Sequence, residues 1–439
     1  MDRRPRNTID VDVLVAGGGA AGVAAACTAA RQGLRVLLVE RYGFCGGAAV
    51  AGLSGTICGL YLASEHPKKP EQVVHGFVDE FIAQLERHNG LGPTLRYGKT
   101  YTRVHEPLAW REAADELLEK AGVTVLYHAL VIEVVLEGDR VSGAVVWTKS
   151  GLLVVRAQVT IDATGDADVV SMAGWRTWCG DHGLVQNPSM IFRLQGVDLE
   201  RFLLAYGDDT IMPAEVTEKI LAAQQAGWDL PRSKIWLFPT TRPGELLCNC
   251  TRIRGADGRE LNAVVGNDFS EAEVQGRRQA RLYARFFREN LVGCEASWLN
   301  DTGVQVGIRQ TRQIAGRRVL QNHDILKGAK SSDGIARSPW PIELHTGSKP
   351  HVEWLLDDFY EVPFDCFVPE QGEGLLVAGR CLSAEHEAVA SARVTAQCFS
   401  YGQAIGLAAA MASLERLSTR QITGSEVRKL LNQQGAHLD

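Results

Sequence analysis

Three glycines, Gly17, Gly19 and Gly22, stand at the spacing G-x-G-x-x-G inside VDVLVAGGGAAGVAAACTAARQGLRVLLVE, a stretch that ends on the acid Glu40. The chemistry that needs this set is the capture of a dinucleotide. The first glycine permits a tight turn, the second lets backbone approach a pyrophosphate, and the third lets a helix pack closely on the preceding strand. An acid roughly 20 residues further on takes up ribose hydroxyls, and its charge disfavours a 2′-phosphate.

These residues must be held by a strand, a helix and a second strand, and the sequence supplies all three. Residues 11–16 form a short apolar run of the kind buried on both faces in a parallel sheet. Residues 20–32 read as an alanine-rich helix, whose first positions, Ala20 and Ala21, offer free N–H groups and the positive end of the dipole to phosphates. A second apolar run leads to Glu40. The glycine- and alanine-rich RYGFCGGAAVAGLSGTICGLY that follows is poor in side chains and lets backbone lie against a large flat ligand.

Further on, residues 73–87 are amphipathic and helical. A second helix starts at Pro107 and stops before Gly122. Residues 123–130 resume strand character. Three runs separated by EGD and KSG then predict an antiparallel meander, followed by AQVTIDATGDADVV, a strand leading into Gly165 and Asp166. Residues 186–366 are richer in tryptophan, proline and charge. They include a helix over 271–290 opened by a capping box from Ser270 to Glu273. The C-terminal part returns to the opening style, with LLVAGR ending in Gly379–Arg380 and an alanine- and glycine-rich helix. There is no internal repeat and no low-complexity linker.

Composition narrows the function classes. Lys and Arg number 46 against 52 Asp and Glu, a net charge of −6, which argues against a nucleic-acid footprint or a basic membrane patch. The basic head with Arg3 and Arg4 leads at once into the glycine turn, so it reads as a domain entrance rather than a secretion signal. No run reaches the length of a membrane span. A cytoplasmic location is the expectation. The ten cysteines are scattered; only Cys248 and Cys250 are close, so neither zinc nor an iron–sulfur cluster is expected. Cys45 and Cys58 read as small buried residues.

Three glycine-bearing segments now follow apolar strands: Gly17–Gly22, DATGDAD and LLVAGR. A nicotinamide dehydrogenase finishes its cofactor fold in one stretch, whereas here the beginning, middle and end of the chain share the task. The layout resembles the two-dinucleotide-binding flavoproteins, an FAD-dependent oxidoreductase family related to the fumarate reductase and succinate dehydrogenase flavoprotein subunits. GIRQTRQIAG, residues 307–316, is similar to the signature G-x-R-x-S-R-x-x-x-G of one branch, with Thr311 replacing the serine. The preceding AEVQGRRQARLYARFFREN and the closing LLVAGRCLSAEHEAVASARV…GQAIGLAAA fit the same branch. Two departures stand out: Cys45 replaces an apolar residue before Gly46–Gly47, and Glu343 replaces an aspartate before His345.

The resemblance implies an α/β fold: a Rossmann-like FAD-binding domain with a β-meander insertion, assembled from residues 1–185 and 367–439, plus an α+β substrate or cap domain, residues 186–366. It implies FAD as cofactor, with the ribose on Glu40, Arg41 near the adenine end and the pyrophosphate against Gly46 and Gly47. Backbone at Val131 would meet the adenine. Gly165, Asp166, Gly379 and Arg380 would face the ribityl and pyrophosphate region. A helix beginning near Gly402 and Gln403 would aim its N-terminus at the flavin N1/C2=O, where reduced flavin is negative. Arg309, Arg312, His386 and Arg393 are the candidates for a substrate clamp and for acid–base work, arginine suiting carboxylate or enolate oxygens and histidine a proton shuttle. Trp236, Trp340 and Trp354 read as core.

The activity expected is hydride transfer between flavin N5 and a small organic substrate, carboxylate- or carbonyl-bearing. A flavin monooxygenase is an alternative that the AGR strand end disfavours. A binding module that has lost redox work is another. The partners expected are the substrate and an electron donor or acceptor, with a homo-oligomer left open; a single dinucleotide fingerprint leaves no separate NAD(P)H domain.

Overall fold

The computed structural model describes residues 7–439; the basic head with Arg3 and Arg4 lies outside the described residues. A seven-stranded sheet forms the frame. Its order is Thr124–Leu126, Val36–Val39, Asn7–Ala16, Gly151–Asp162, Arg140–Thr148 and Leu130–Glu137, and Leu375–Val377 also pairs with Gly151–Asp162. The first strand runs parallel to Val36–Val39 on one side and to Gly151–Asp162 on the other. Its alternate residues feed two cores: Val13 and Val15 join the main cluster, while Leu14 faces the layer beneath the meander with Val146 and Val155. Burial on both faces explains the unbroken apolar run.

Gly151–Asp162 is one 12-residue strand, although its sequence reads as a meander strand and a separate sheet strand. Its beginning pairs antiparallel with Arg140–Thr148 and its end pairs parallel with Leu375–Val377. The strand thus carries the meander at one end and delivers Gly165 and Asp166 at the other. The run expected over 123–130 is interrupted: Leu126 ends one strand, His128 turns at φ 52°, and Leu130 begins the next.

The helix Ala20–Ala30 packs against the helix Thr395–Leu414, and both are built of small residues for a steric reason. A Cβ on Gly402 would lie 2.1 Å from the Ala21 carbonyl oxygen, and one on Gly406 would lie 2.6 Å from that of Ala25. Pro107–Ala121 ends on Gly122 at φ 79°, as expected; the Glu106 carboxylate caps its start through the N–H groups of Leu108 and Ala109. The amphipathic helix is shorter than its periodicity predicts, Phe77–Arg87, because Gly76 at φ 101° sets the chain's entry.

A second core, with Phe192, Leu237, Cys248, Tyr283 and Phe287, lies between a four-stranded antiparallel sheet and the helix Gly266–Asn290. That helix begins a turn earlier than the capping box predicts. Ser270 is inside it, donating back to the Gly266 carbonyl at 2.8 Å, and Glu273 instead accepts the Val306 N–H at 2.7 Å. Beyond residue 308 the chain returns to the first core, to which Ile314, Ile335, Tyr360 and Phe364 belong.

Candidate active site

The turn that follows the first strand forms because Gly17 sits at φ 102° and a Cβ on Gly22 would lie 1.9 Å from the Gly17 carbonyl oxygen. The helix starting at Ala20 has no side-chain cap, so its first N–H groups face outward. A second glycine turn lies against the first: Gly46 donates to the Gly18 carbonyl at 2.8 Å, and a Cβ on Gly47 would come within 3.0 Å of the Gly19 Cα. Two bare backbone loops in this apposition make a cradle wide enough for a pyrophosphate and too narrow for side chains. Beside it, Glu40 is buried. Its Oε2 accepts from Gly18 N at 2.6 Å and its Oε1 from Tyr42 N at 2.9 Å, which fixes the carboxylate and leaves one lone pair on each oxygen for hydroxyls. Burial raises its pKa, against the pull of these hydrogen bonds and Arg41.

One cavity of about 330 Å³ runs from this cradle, a volume within the range of small-molecule and cofactor sites. At the outer end it is lined by Glu40, Arg41 and Val131, where Arg41 and the Tyr42 hydroxyl both donate to Gln305 Oε1. Midway, Arg380 ties three distant segments together. Its Nε donates to the Gly165 carbonyl at 2.8 Å, one terminal nitrogen to the Ile308 carbonyl at 2.8 Å, and the other to Asp166 Oδ1 at 2.5 Å. The same Oδ1 accepts from the Thr311 hydroxyl at 2.6 Å, so the threonine that replaces the signature serine keeps its hydroxyl in use. Gly379 needs its φ of 99° to bring this turn alongside Ala21.

The inner end is a chamber of buried polar groups. Arg309 donates to the Asn187 carbonyl at 3.0 Å, Ser189 Oγ at 2.7 Å and Asn249 Oδ1 at 3.3 Å. Arg393 reaches only Gln186 Oε1, at 3.4 Å, and its buried Nε has no partner among the described residues. Behind them Arg232 is fully buried against Trp236, with none of its three guanidinium nitrogens partnered among the described residues. Burial lowers all three arginine pKa values, that of Arg393 to about 10. Glu343 is the one carboxylate of the chamber, and burial pushes its pKa up against the pull of Tyr97, Arg393, Arg309 and Arg232. Burial and the arginines hold His345 well below the usual histidine range, so it is neutral at pH 7. Three cations facing one carboxylate give the chamber a positive field suited to an anion.

Cys58 lines the same cavity within 3.3 Å of the Thr56 hydroxyl, its thiol pushed up to about 11 by burial. It is therefore a thiol and not a thiolate at neutral pH. All ten cysteines are free, and no group of metal-ligating side chains occurs among the described residues. Among the described residues no helix is long and apolar enough to cross a membrane.

Most residues singled out by sequence meet in this cavity: Gly17, Gly19, Ala20, Ala21, Glu40, Arg41, Gly46, Gly47, Val131, Gly165, Asp166, Gly379, Arg380, Arg309 and Arg393 all line it. Four do not. Gly402 and Gln403 lie in the interior of Thr395–Leu414, where Gly402 serves the contact with Ala21 and the Gln403 carbonyl accepts the Phe77 N–H at 2.9 Å. The helix end that reaches the cavity is at Val394 and Thr395. Arg312 is a brace, donating to the Asp166 carbonyl at 2.9 Å and pairing with Asp168. His386 opens the short helix His386–Ala392 outside the cavity wall, close to Gly180. Sequence reasoning passed over Tyr97, Asn249 and Ser189, which also line the chamber, and read Trp340 as core, although it lies on the chamber wall. It took Glu343 and His345 only as a departure from a pattern. Their i, i+2 spacing at a strand places both on one face, and that was the available signal.

A mixed sheet with a parallel core, whose first glycine turn, acidic strand end and returning C-terminal strand border one cavity, defines a Rossmann-type dinucleotide-binding fold. The family of FAD dependent oxidoreductases matches residues 12–431, and the chain belongs to that family. It is an enzyme that uses FAD, and the bare glycine cradle with its outward helix N–H groups and the fixed Glu40 fit that cofactor. Among curated relatives, thiamine thiazole synthase of Aeropyrum pernix is 32% identical over 171 residues, covering 36% of this chain and 56% of the relative. NADH:fumarate oxidoreductase of Klebsiella pneumoniae is 27% identical over 306 residues, covering 62% of this chain and 31% of the relative. The chain thus spans between about a third and three fifths of these relatives. A geranylgeranyl bacteriochlorophyll reductase-like protein from Thermoplasma acidophilum shares the fold across 97% of this chain and 91% of its own, with a TM-score of 0.51 at 16% identity.

Proposed function

We propose that the enzyme is a cytoplasmic dehydrogenase or reductase whose substrate is a small organic anion, carboxylate- or carbonyl-bearing, held in the inner chamber by Arg309 and Arg393. When bound, FAD supplies a two-electron acceptor or donor for the substrate's hydride at N5. The Gly17–Gly22 and Gly46–Gly47 turns would take the pyrophosphate, Glu40 the ribose hydroxyls, and the end of the helix at Thr395 the ring edge that gains negative charge on reduction. The chain's own residues do the rest. Arg309 and Arg393 bind and orient the anion, and the apolar wall of Ile191, Phe238 and Trp340 keeps water away from it. A small-molecule electron donor or acceptor completes the cycle, and neither nucleic acid nor membrane takes part.

The observation that carries this reading is the pair of buried guanidinium groups on the chamber wall with no carboxylate partner among the described residues. Three buried cations face the single carboxylate of Glu343, an excess of positive charge that is costly to bury and that an anionic substrate offsets. The relative named for fumarate, a small dianion, supports the same chemistry.

The test is an anaerobic screen of small hydroxy acids, keto acids and unsaturated acids against the purified yellow protein, in both oxidised and photoreduced form. At least one acid changes the flavin spectrum, and neutral alcohols of the same size do not. Arg309→Met retains FAD and loses at least about 100-fold in kcat/KM for that acid, the scale of a lost charge-assisted bidentate contact. A protein that reacts as well with the uncharged analogue as with the acid refutes the assignment.

A further inference from the structure

The chamber contains an arrangement that binding an anion does not require. Tyr97, at the end of the hairpin strand Leu91–Tyr97, donates its hydroxyl to Glu343 Oε1 at 2.6 Å. The other carboxylate oxygen, Oε2, faces Nε2 of His345 at 3.7 Å, too far for a direct hydrogen bond and close enough for both atoms to meet one bridging proton donor. All three side chains are buried and line the cavity. Sites more than 200 residues apart in sequence have been brought together for this: the Tyr97–Glu343 bond spans 246 residues.

We propose that Glu343 is the acid–base residue of the reaction, exchanging the substrate's proton at Oε2, and that Tyr97 is the positioning residue that aims and holds its carboxylate. The assignment rests on the functional reading above. In the oxidising direction the substrate carries an X–H group, with X oxygen or nitrogen, next to a C–H carbon. The C–H hydrogen leaves with its electron pair to the bound flavin, the two-electron oxidant. The X–H proton passes to Glu343 Oε2, and a C=X bond forms. The substrate loses two electrons and two hydrogens, the carboxylate becomes a carboxylic acid, and the reverse direction returns that proton to X.

The surroundings suit this task. The groups that face Glu343 are Tyr97 from the hairpin, His345 from its own strand end, Arg309 from the signature segment, Arg393 from the approach to the helix Thr395–Leu414, and Arg232 and Cys58 at greater distance. Burial raises the Glu343 pKa and lowers that of His345, so the carboxylate rather than the imidazole is the group able to take up a proton in this cationic pocket. His345 stays neutral beside Oε2 and adds no charge to the pocket. The departure from an aspartate at this position acquires a physical meaning, because the extra methylene carries the carboxylate out to the Tyr97 hydroxyl.

Two measurements decide the proposal. Infrared difference spectra of the FAD-bound protein across pH 4–9 follow buried carboxyl groups without any substrate. The parent shows a carboxyl titrating above the ordinary range; Glu343→Gln loses that band, and Tyr97→Phe moves its midpoint upward, because a donor to the carboxylate has been removed. Stopped-flow flavin reduction by the acid found in the screen gives the second reading. Glu343→Gln binds FAD and slows reduction by 10²- to 10⁴-fold, while Tyr97→Phe shifts the acidic limb of kcat/KM to higher pH and leaves the plateau rate within about threefold. A Glu343→Gln protein that keeps the titrating band, or that reduces its flavin at the parental rate, overturns the assignment while the anion reading stands. If no acid reacts with the parent protein, the functional reading falls and this assignment falls with it.

Discussion

Arg380 is the most exacting place to test how the cavity is built. Replacing it by methionine keeps the stem and removes the guanidinium that satisfies the Gly165 and Ile308 carbonyls and the Asp166 carboxylate. Each hydrogen bond to a charged group contributes roughly 1.5 kcal/mol or somewhat more. The pair is partly exposed, at 16% for each side chain, which moderates the ionic part. The expected loss is about 4 kcal/mol, corresponding to a fall in Tm of about 8 °C for a large domain. Because the three segments also wall the cofactor cavity, the FAD dissociation constant measured by fluorescence quenching rises at least about 10-fold. A double-mutant cycle with Asp166→Asn isolates the pair, and it returns a coupling of about 2 kcal/mol. Thermal unfolding of the two single variants and the double variant supplies the cycle. Additivity within about 0.5 kcal/mol, together with an unchanged FAD affinity, would show that Arg380 does not join these segments in solution and would refute the reasoning.

Two further outcomes follow from packing and burial. Gly402→Ala places a methyl 2.1 Å from the Ala21 carbonyl oxygen, so the two helices must separate; a loss of about 1–3 kcal/mol is expected in urea unfolding, whereas the exposed Gly266, with open space around it and no left-handed φ, tolerates the change. His105 is buried against Trp110 with both ring nitrogens unpartnered among the described residues, and burial lowers its pKa to about 3. Between pH 6.5 and 3 the unfolded chain binds a proton at this site that the folded chain does not, so stability falls with falling pH, by up to about 1.4 kcal/mol per unit. His105→Leu flattens that part of the stability profile; an acid limb identical to the parent's would exclude His105 as its source.

Much of the frame was legible because its signals are local. The glycine turn, the apolar strand before it and Glu40 after it lie within one supersecondary unit, and each carries its own steric or electrostatic reason. The convergence of Gly165, Asp166 and Arg380 on that turn was legible only through the likeness of whole segments, since no periodicity ties residues so far apart. The failures are equally physical. A helix of small residues without a cap gives no mark of its start, so the glycine that packs on Ala21 was taken for the end that meets the ring. Ser270 and Glu273 have the spacing of a capping box, yet the helix runs through them because Glu273 is drawn to the Val306 N–H. Arg312 and Arg309 look alike in sequence, and a neighbouring acid, Asp168, is what turns one of them away from the chamber. The Tyr97–Glu343 contact left no trace, being a tertiary meeting of two short strands.

The strand Gly151–Asp162 is flanked at its far end by Leu375–Val377, and the helix that fills the small-residue face of Ala20–Ala30 comes later still, at Thr395–Leu414. A chain emerging from the ribosome therefore exposes its phosphate loop long before it possesses the walls that retain the cofactor. The full flavin cavity exists only once these late segments are in place, and the alanine-lined flank of the first helix has no cover until the last tenth of the protein arrives.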